Sequence, residues 1–571
     1  MPRNGRWRVR EVDADAVQRL VDACGISPVL SRLLLQRGVE DPPGAERFLR
    51  AGREDLHDPF RLPDMPKAVA RVERAIAERQ SIRIWGDYDA DGLNGTAILI
   101  RTLRSLGAVA DSYVPHRLRE GYGLNAEGVQ QALADGICVL ITVDVGTTAV
   151  EPIRTLQAGG VDVIVVDHHE ARNGESVAPA YALLNPRRAD STYPDRGLTA
   201  SGLAFKFAQA LCRHDPAMAF AQFDLACIGT VSDMGPLTGE NRVVVREGLQ
   251  ELARTGKAGL RALIGVASTS GAKPRRWSPQ RVGFEVGPLL NAAGRMGSAE
   301  AALQLLLTES SDEADGLVAQ LAESNRQRQD LQKMIWHDAL RLVEQQVNFR
   351  DHRIIVLASD RWHVGVVGIV AARLAGRFRR PVILCAEENG VLRGSGRSVH
   401  GFSLFDALDD CGELLSQYGG HHQACGMTLE RSALGPLRQR LNILAVERMN
   451  MTALAPVMEL DAELPLDQVS RALLEDLERL EPFGQGNPRP RFLTSGVTLC
   501  RAFEPFGRAS HRGWVTDGTV TLEATIEGAD GQLVSLPVGS RMDLVHTPAK
   551  RSARGETSLR LSVNDFQVVA G

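Results

Sequence analysis

Lysine is the scarcest of the charged side chains: only six of the 66 basic residues are lysines, the rest arginines. In a chain this rich in Arg, Ala and Gly, an arginine cluster is weaker evidence of phosphate binding than it is elsewhere. Long apolar runs are missing too. The richest stretches, VDVIVV and GVVGIVAARLAG, fall short of the roughly 18 apolar residues of a membrane span, so no membrane partner is expected. The opening MPRNGRWRVREVDADAV lacks the apolar centre of a secretory signal, and a cytoplasmic protein is expected. None of the eight cysteines (24, 138, 212, 227, 385, 411, 425, 500) forms a CxxC pair, which argues against a disulfide framework and a zinc ribbon. Nor is there an excess of positive charge. A net charge of −4 excludes a uniformly basic surface but leaves room for a basic groove on an acidic body.

What is present is a globular composition, 44% hydrophobic and 24% charged, in 571 residues, enough for three or four domains. Residues 1–50 read as a helical N-terminal segment with DPP as its cap. From Ser81, β-branched runs alternate with helical stretches (SIRIWGD, TAILIRTLRSLG, VADSYVP, CVLITVD, VDVIVVDHH), the rhythm of a parallel sheet with crossover helices, and 51–308 is taken as one α/β domain. Ser310 and Glu313 then open a capping box. Apolar residues at Leu317, Val318, Leu321, Leu331, Met334, Ile335, Leu342 and Val343 predict one connecting helix over 309–348. A second α/β domain follows over 349–452, with strands at 354–357 and 382–384. Short, evenly spaced strands over 453–571 predict an OB-like β-barrel.

GDYDADG sets Asp87, Asp89 and Asp91 at alternate positions, where unpaired carboxylates repel unless a raised pKa, an arginine or a metal relieves them. An EF-hand is excluded: Ile98 stands where the bidentate glutamate belongs, and the motif follows a strand. CVLITVD ends in Asp144, VDVIVVDHH in Asp167, His168 and His169, and DLACIGTVSD, read as a further strand, in Asp233. Any one such acid is commonly a helix cap. Four ends together, at the carboxyl edge where α/β sheets bind ligands, suit manganese through mixed imidazole and carboxylate, and magnesium through the carboxylates. Such a cluster can hold two divalent cations about 3.5–4 Å apart, clamp a phosphoryl group and activate water.

GDYDADG, TVD, VVDHH and TVSD, in that order, resemble the four motifs of the DHH phosphoesterase superfamily. YVPHRLREGYGLN, GPLLNAAGRM, WHVGVVGIVAARL, RGSGRS, YGGHHQACG and PFGQGNPRP extend the likeness, over nearly the whole chain, to its bacterial branch of single-strand-specific 5′ to 3′ exonucleases. The resemblance implies a DHH and a DHH-associated α/β domain joined by the long helix, followed by the barrel. As metal ligands for two Mn2+ or Mg2+ ions it implies Asp89, Asp91, Asp144, His168 and Asp233, with Asp144 bridging. Asp87 becomes an outer carboxylate, Asp167 orients the histidines, and His169 contacts the scissile phosphate or moves a proton. Arg117, Asn291, Arg295, Arg393, Ser395 and Arg397 are the implied strand contacts, the RGSGRS glycines admitting phosphate to backbone amides, and Gly419, Gly420 and His421 form a second cradle. Tyr122 and Leu124 are candidates to wedge a terminal base, whereas Phe566 in the barrel reads as core. The implied activity is hydrolysis of single-stranded DNA to 5′ mononucleotides in DNA repair and recombination, in a channel too narrow for duplex. A helicase and a single-strand-binding protein are the implied partners, and the chain is expected as a monomer. Three positions depart from the pattern: Trp85 replaces a common histidine, Val145 a common asparagine, and Leu289 a basic residue. Two alternatives stay open, a phosphodiesterase of small molecules or short oligonucleotides, and a non-catalytic DNA-binding subunit.

Overall fold

A computed structural model describes residues 6–117, 119–171, 176–267, 276–449, 457–506, 510–528, 531–553 and 556–569. The 452/453 boundary and Met451 lie outside the described residues. Strands Ser81–Gly86, Val109–Tyr113, Val139–Val143, Asp162–Val166 and Ala182–Leu184 form one all-parallel sheet. The first strand lies between the second and third, giving the order 2-1-3-4-5. Both faces are covered. Ile82, Ile84, Ile141, Val143, Ile164 and Val166 point into one apolar cluster, and Leu140, Val163 and Val165 into another, which is why these strands read as continuous apolar runs. The crevice of such a sheet opens where strand order reverses, between Ser81–Gly86 and Val139–Val143.

Asp233 is not delivered by a strand. DLACIGTVSD folds as the helix Phe223–Ser232, with Asp233 as its C-cap. Residues 223–230 are all buried, so the run is apolar on every side and has no period to separate helix from strand. The first fifty residues also differ from expectation. Leu20, Leu30, Leu33 and Leu34 share one core with Leu473, Leu477 and the barrel residues Phe492 and Leu544. Strand Arg6–Val9 pairs in parallel with Val457–Leu460. DPP begins a helix, Pro42–Arg50, with Asp41 as N-cap, and does not end the segment.

The connecting helix is Ser311–Gln346, 36 residues or about 54 Å. Its N-cap Ser310 accepts from the Glu313 amide at 3.3 Å, while Thr308 relays the other half of the box: its hydroxyl bonds the Glu313 carboxylate and accepts from the Ser310 amide. Ala314, Val318 and Leu321 bury in the first α/β domain, and Ile335, Ala339 and Val343 in the second. There the sheet runs in the order Gln417–His421, Ala424–Glu430, Val391–Arg397, Val382–Glu388, Ile355–Ser359. RGSGR is therefore an inner strand whose amides belong to the sheet ladder on both sides, so its glycines are not a phosphate-cradling loop. They answer to packing instead: a Cβ on Gly394 would lie 2.8 Å from Cys385 Sγ, and one on Gly396 2.5 Å from Leu404 Cδ2. Gly419 and Gly420 lie on the edge strand, one side of whose backbone stays outside the ladder.

Five strands, Phe492–Phe506 to Glu556–Val568, close into a barrel through pairing of Phe492–Phe506 with Arg541–Ala553. Arg242, 1% exposed, ties it to the first α/β domain. Its guanidinium stacks on Phe48 (4.1 Å) and donates to the carbonyls of Phe48 (2.9 Å), Leu480 (2.8 Å), Glu481 (2.8 Å) and Arg479 (3.2 Å). No described helix is long and apolar enough to cross a membrane.

Candidate metal centre

At the carboxyl edge of the parallel sheet the backbone ladder runs one residue past each strand. Asp87 N–H donates to Val143 O (3.2 Å), Asp144 N–H to Val166 O (3.0 Å) and Asp167 N–H to Leu184 O (3.3 Å). Three acids from three loops are thereby set side by side. Asp144 takes a left-handed φ of 66°, uncommon for a residue with a side chain, and the Tyr122 hydroxyl holds its carbonyl at 3.0 Å.

Asp89 caps the helix Ala90–Ser105, accepting from the amides of Asp91 (2.9 Å) and Gly92 (3.2 Å). Asp91, within the first turn, is fixed by the amides of Ala200 (2.8 Å) and Ser201 (2.9 Å). Asp167 is used differently. Its Oδ1 accepts from the amides of His168 and His169 and lies 2.7 Å from His169 Nδ1, and its Oδ2 accepts from Thr147 N–H at 3.0 Å. His168 Nε2 sits 3.2 Å from Asp144 Oδ1 and 3.8 Å from Asp233 Oδ2.

Three sets of donors lie within 4.8 Å of one another: Asp87, Asp89 and Asp144; Asp91, His168 and Asp233; Asp144, His168 and His169. Every residue expected as a metal ligand is in at least one set. So are Asp87, expected as an outer carboxylate, and His169, expected at the phosphate, whereas Asp167 belongs to none and holds His169.

The electrostatics of these groups are those of crowded, buried carboxylates that a cation would stabilise. Burial, then the charge of Asp89, pushes the Asp87 carboxyl well above the ordinary range, and burial followed by Asp91 and Asp89 does the same to Asp144. Asp233 is raised to about 8 by burial and the same two neighbours. Asp91 rises only to about 6, because hydrogen bonds from Ser201 oppose its burial. Burial, with the charge on His169, lowers His168 to about 3, so its contact with Asp144 is not an ion pair. His169 is also opposed by burial, but Asp167 overrides this and raises it to about 9; Asp167, buried yet bonded by His169, falls far below its usual value. Asp87 Oδ1, Asp144 Oδ1 and His168 Nδ1 are buried without a hydrogen-bond partner. Oxygen-rich donors with a neutral imidazole, orphaned and mutually repelling, fit hard divalent cations.

Guanidinium groups lie near the acids, Arg117 acting on Asp87 and Arg295 on Asp89. Arg117 lies over the Tyr88 ring at 4.9 Å. Arg295, on the helix Gly287–Met296, is lowered to about 10 by burial and by the nearby charges of Arg117, Arg328 and Arg397. Arg397 donates to Ser395 Oγ (3.0 Å) and Gly396 O (2.8 Å). Arg393 is exposed, four positions before Arg397 on the same strand. Asn291 turns toward the acidic loop, its Oδ1 accepting from Ala90 N–H at 2.8 Å. From the opposite domain the His421 ring stacks over His169, centroids 6.4 Å apart and planes 9° from parallel. Tyr122 is 57% exposed beside His169, whereas Leu124 is core.

The departures are all apolar fillings. Trp85 packs on Tyr113 at 4.4 Å in the cluster that also holds Val145, and Leu289 is 5% exposed in the main core. Sequence reasoning missed Asn185, whose amide bonds Thr147 Oγ1 (3.0 Å) and His169 O (2.8 Å), and Ser201, which holds Asp91. Neither carries a spacing signal, since both act through contacts remote in sequence.

Comparison with known proteins agrees with this geometry. Residues 81–230 match the DHH family N-terminal domain, 351–446 the DHHA1 domain and 460–565 the RecJ OB domain. The single-stranded-DNA-specific exonuclease RecJ of Dickeya dadantii is 36% identical over 92% of this chain and 94% of its own length. That of Bacillus subtilis is 38% identical over 86% of this chain, which spans 62% of that longer relative. The crystal structure of RecJ from Thermus thermophilus in complex with Mn2+ superposes with a TM-score of 0.82 at 29% identity, covering 99% of this chain and 80% of that one. With an acidic and histidine cluster, a second α/β domain and a barrel in one continuous likeness, the chain belongs to the RecJ family of single-stranded-DNA-specific exonucleases.

Proposed function

We propose that this protein is a metal-dependent exonuclease that degrades single-stranded DNA 5′ to 3′ to mononucleotides. The observation that carries the reading is a set of carboxylates with orphaned oxygens beside Arg117, Arg295 and Arg397, none of which has a carboxylate within 4 Å among the described residues. Two divalent ions, Mn2+ or Mg2+, held by Asp89, Asp91, Asp144, His168 and Asp233, with Asp87 in reach, would polarise the phosphoryl oxygens and lower the pKa of water.

The chain's own residues do the rest. Asp167 keeps His169 protonated, so its Nε2–H faces the cleft as a donor to a phosphate oxygen or leaving group. Arg117, Arg295 and Arg397 bind the anionic backbone irrespective of sequence, with Arg393, Ser395, Gly419, Gly420 and His421 extending that track and Asn291 bracing the metal loop. In the barrel, Trp514 and Phe506 with Arg501 and Arg512 stacked at 4.3–5.1 Å give bases a face to lie on.

The same proposal places the protein in the cytoplasm as a monomer acting in repair and recombination beside a helicase and a single-strand-binding protein. It divides the chain at 50/51, 308/309, 348/349 and 452/453, the first segment working with the barrel. The test is release of 5′ mononucleotides from a labelled 40-mer in Mn2+, with Asp144→Ala as control. Cleavage is expected to fall at least about a thousandfold while strand binding persists. A wild-type protein inert on the 40-mer but active on a dinucleotide would move the assignment to a small-substrate phosphodiesterase, and one inert on both to a DNA-binding subunit.

A further inference from the structure

The connecting helix carries more than the distance between two domains. At 100° per residue, Leu321, Asn325, Arg328, Gln332, Ile335 and Ala339 fall within about 40° of one line on its surface. The two ends of this stripe are core: Leu321 in the catalytic domain, Ile335 and Ala339 in the DHH-associated domain. Where the helix crosses the gap, the same inward face turns polar. Asn325, Arg328 and Gln332 are each partly buried there.

Arg328 is held open at this point. Its Nε and Nη2 donate to Asn325 Oδ1 (3.1 and 2.8 Å) and its Nη1 to Gln332 Oε1 (3.2 Å), so two neutral amides aim the guanidinium without cancelling its charge. The other arginines and the lysine of this helix all have acids: Arg326 pairs with Glu323, Lys333 with Asp330 (3.1 Å) and Arg341 with Asp338 (2.7 Å). Among the described residues, Arg328 alone of these four has no carboxylate within 4 Å. It is also packed toward Gly287–Met296, the helix bearing Arg295. A partly desolvated, pre-aimed cation without a counter-ion is a site for an anion supplied from outside.

Building on the proposed nuclease function, we infer that the Asn325–Arg328–Gln332 face of the connecting helix forms one wall of the strand groove, with Arg328 gripping a backbone phosphate of single-stranded DNA. The helix is then part of the substrate site, and a bound strand touches both domains and the element that joins them.

The experiment measures oligo-dT 40-mer affinity against salt in the full-length protein. Arg328→Ala is expected to weaken binding about tenfold at 0.1 M salt and to make the log K against log salt slope shallower by about 0.7, the share of one phosphate on a single strand. KM for cleavage rises in parallel while kcat stays within about twofold. Arg328→Lys keeps the slope but recovers only part of the affinity, because the charge remains and the fork is lost. Arg328→Gln, similar in length and neutral, repeats the alanine result with the helix packing kept. An unchanged slope in both neutral variants, with wild-type cleavage intact, overturns this inference and leaves the nuclease assignment standing. A wild-type protein that neither cleaves nor binds the strand removes the assignment itself.

Discussion

Asn185 shows how the centre depends on residues that touch no substrate. Its side chain joins Thr147, which holds Asp167, to the carbonyl of His169, and its Oδ1 fixes the Arg187 amide at 2.8 Å. Asn185→Ala is expected to lower kcat about tenfold to a hundredfold with strand affinity nearly unchanged, as measured by single-turnover cleavage and equilibrium binding. At this scale the sequence was legible wherever chemistry is local. Aspartates and histidines next to β-branched runs announce themselves because a strand must end where the polar residues start. Ser201 and Asn185 do not, since their partners lie 110 and 16 residues away along the chain. The three departures were legible as changes of type but not as packing: that Trp85, Val145 and Leu289 lie in apolar clusters follows only once the neighbouring elements are in place.

Elements were read correctly where short β-branched runs bounded by turns, or a sustained helical spacing with a cap, decided between strand and helix. The parallel strands and the 36-residue helix are examples, the latter capped by Ser310 as its sequence requires. Phe223–Ser232 was misread because burial on all sides erases periodicity, and RGSGR because glycine signals both loops and tight strand packing. The second ambiguity can be tested. If Gly394 serves packing, Gly394→Ala destabilises the DHH-associated domain by about 1–3 kcal/mol in denaturant unfolding, since Cys385 Sγ and Met427 Cγ stand 2.8 and 3.0 Å from the new methyl. A cradle would instead lose strand binding at unchanged stability.

The barrel offers a second element-scale test through His546. It is fully buried, its Nε2 lies 2.7 Å from Thr494 Oγ1, and burial lowers its pKa to about 4. Between pH 6.5 and 4 the unfolded chain therefore binds a proton that the folded barrel refuses. Stability is full above pH 6.5 and falls as pH drops, by up to about 3 kcal/mol near pH 4. Thermal unfolding between pH 7 and 4.5 is expected to show this slope, and His546→Gln to lose it.

The whole molecule is held together at a few seams. Arg242 gathers carbonyls from the N-terminal helices and from the segment leading to the barrel, while Asn487 bonds Leu480 O and Pro482 O and accepts from Arg37. Removing the guanidinium leaves several buried carbonyls unpaired, each costing about 1–3 kcal/mol. Arg242→Met is expected to split one calorimetric unfolding transition into two and to expose residues 479–490 to protease. The order of two α/β domains, long helix and barrel was legible from the alternation of elements, but these seams were not, because one arginine bonding two distant segments has no local signature.

The ladder that carries Asp87, Asp144 and Asp167 past their strands has a last consequence. Their amides hook onto neighbouring strands, so the lateral pitch of the acids is that of a β-sheet, about 4.8 Å. The fold thus works as a gauge: the backbone sets the separation of Asp87 from Asp144, and one pitch further on it sets the carboxylate that aims His169.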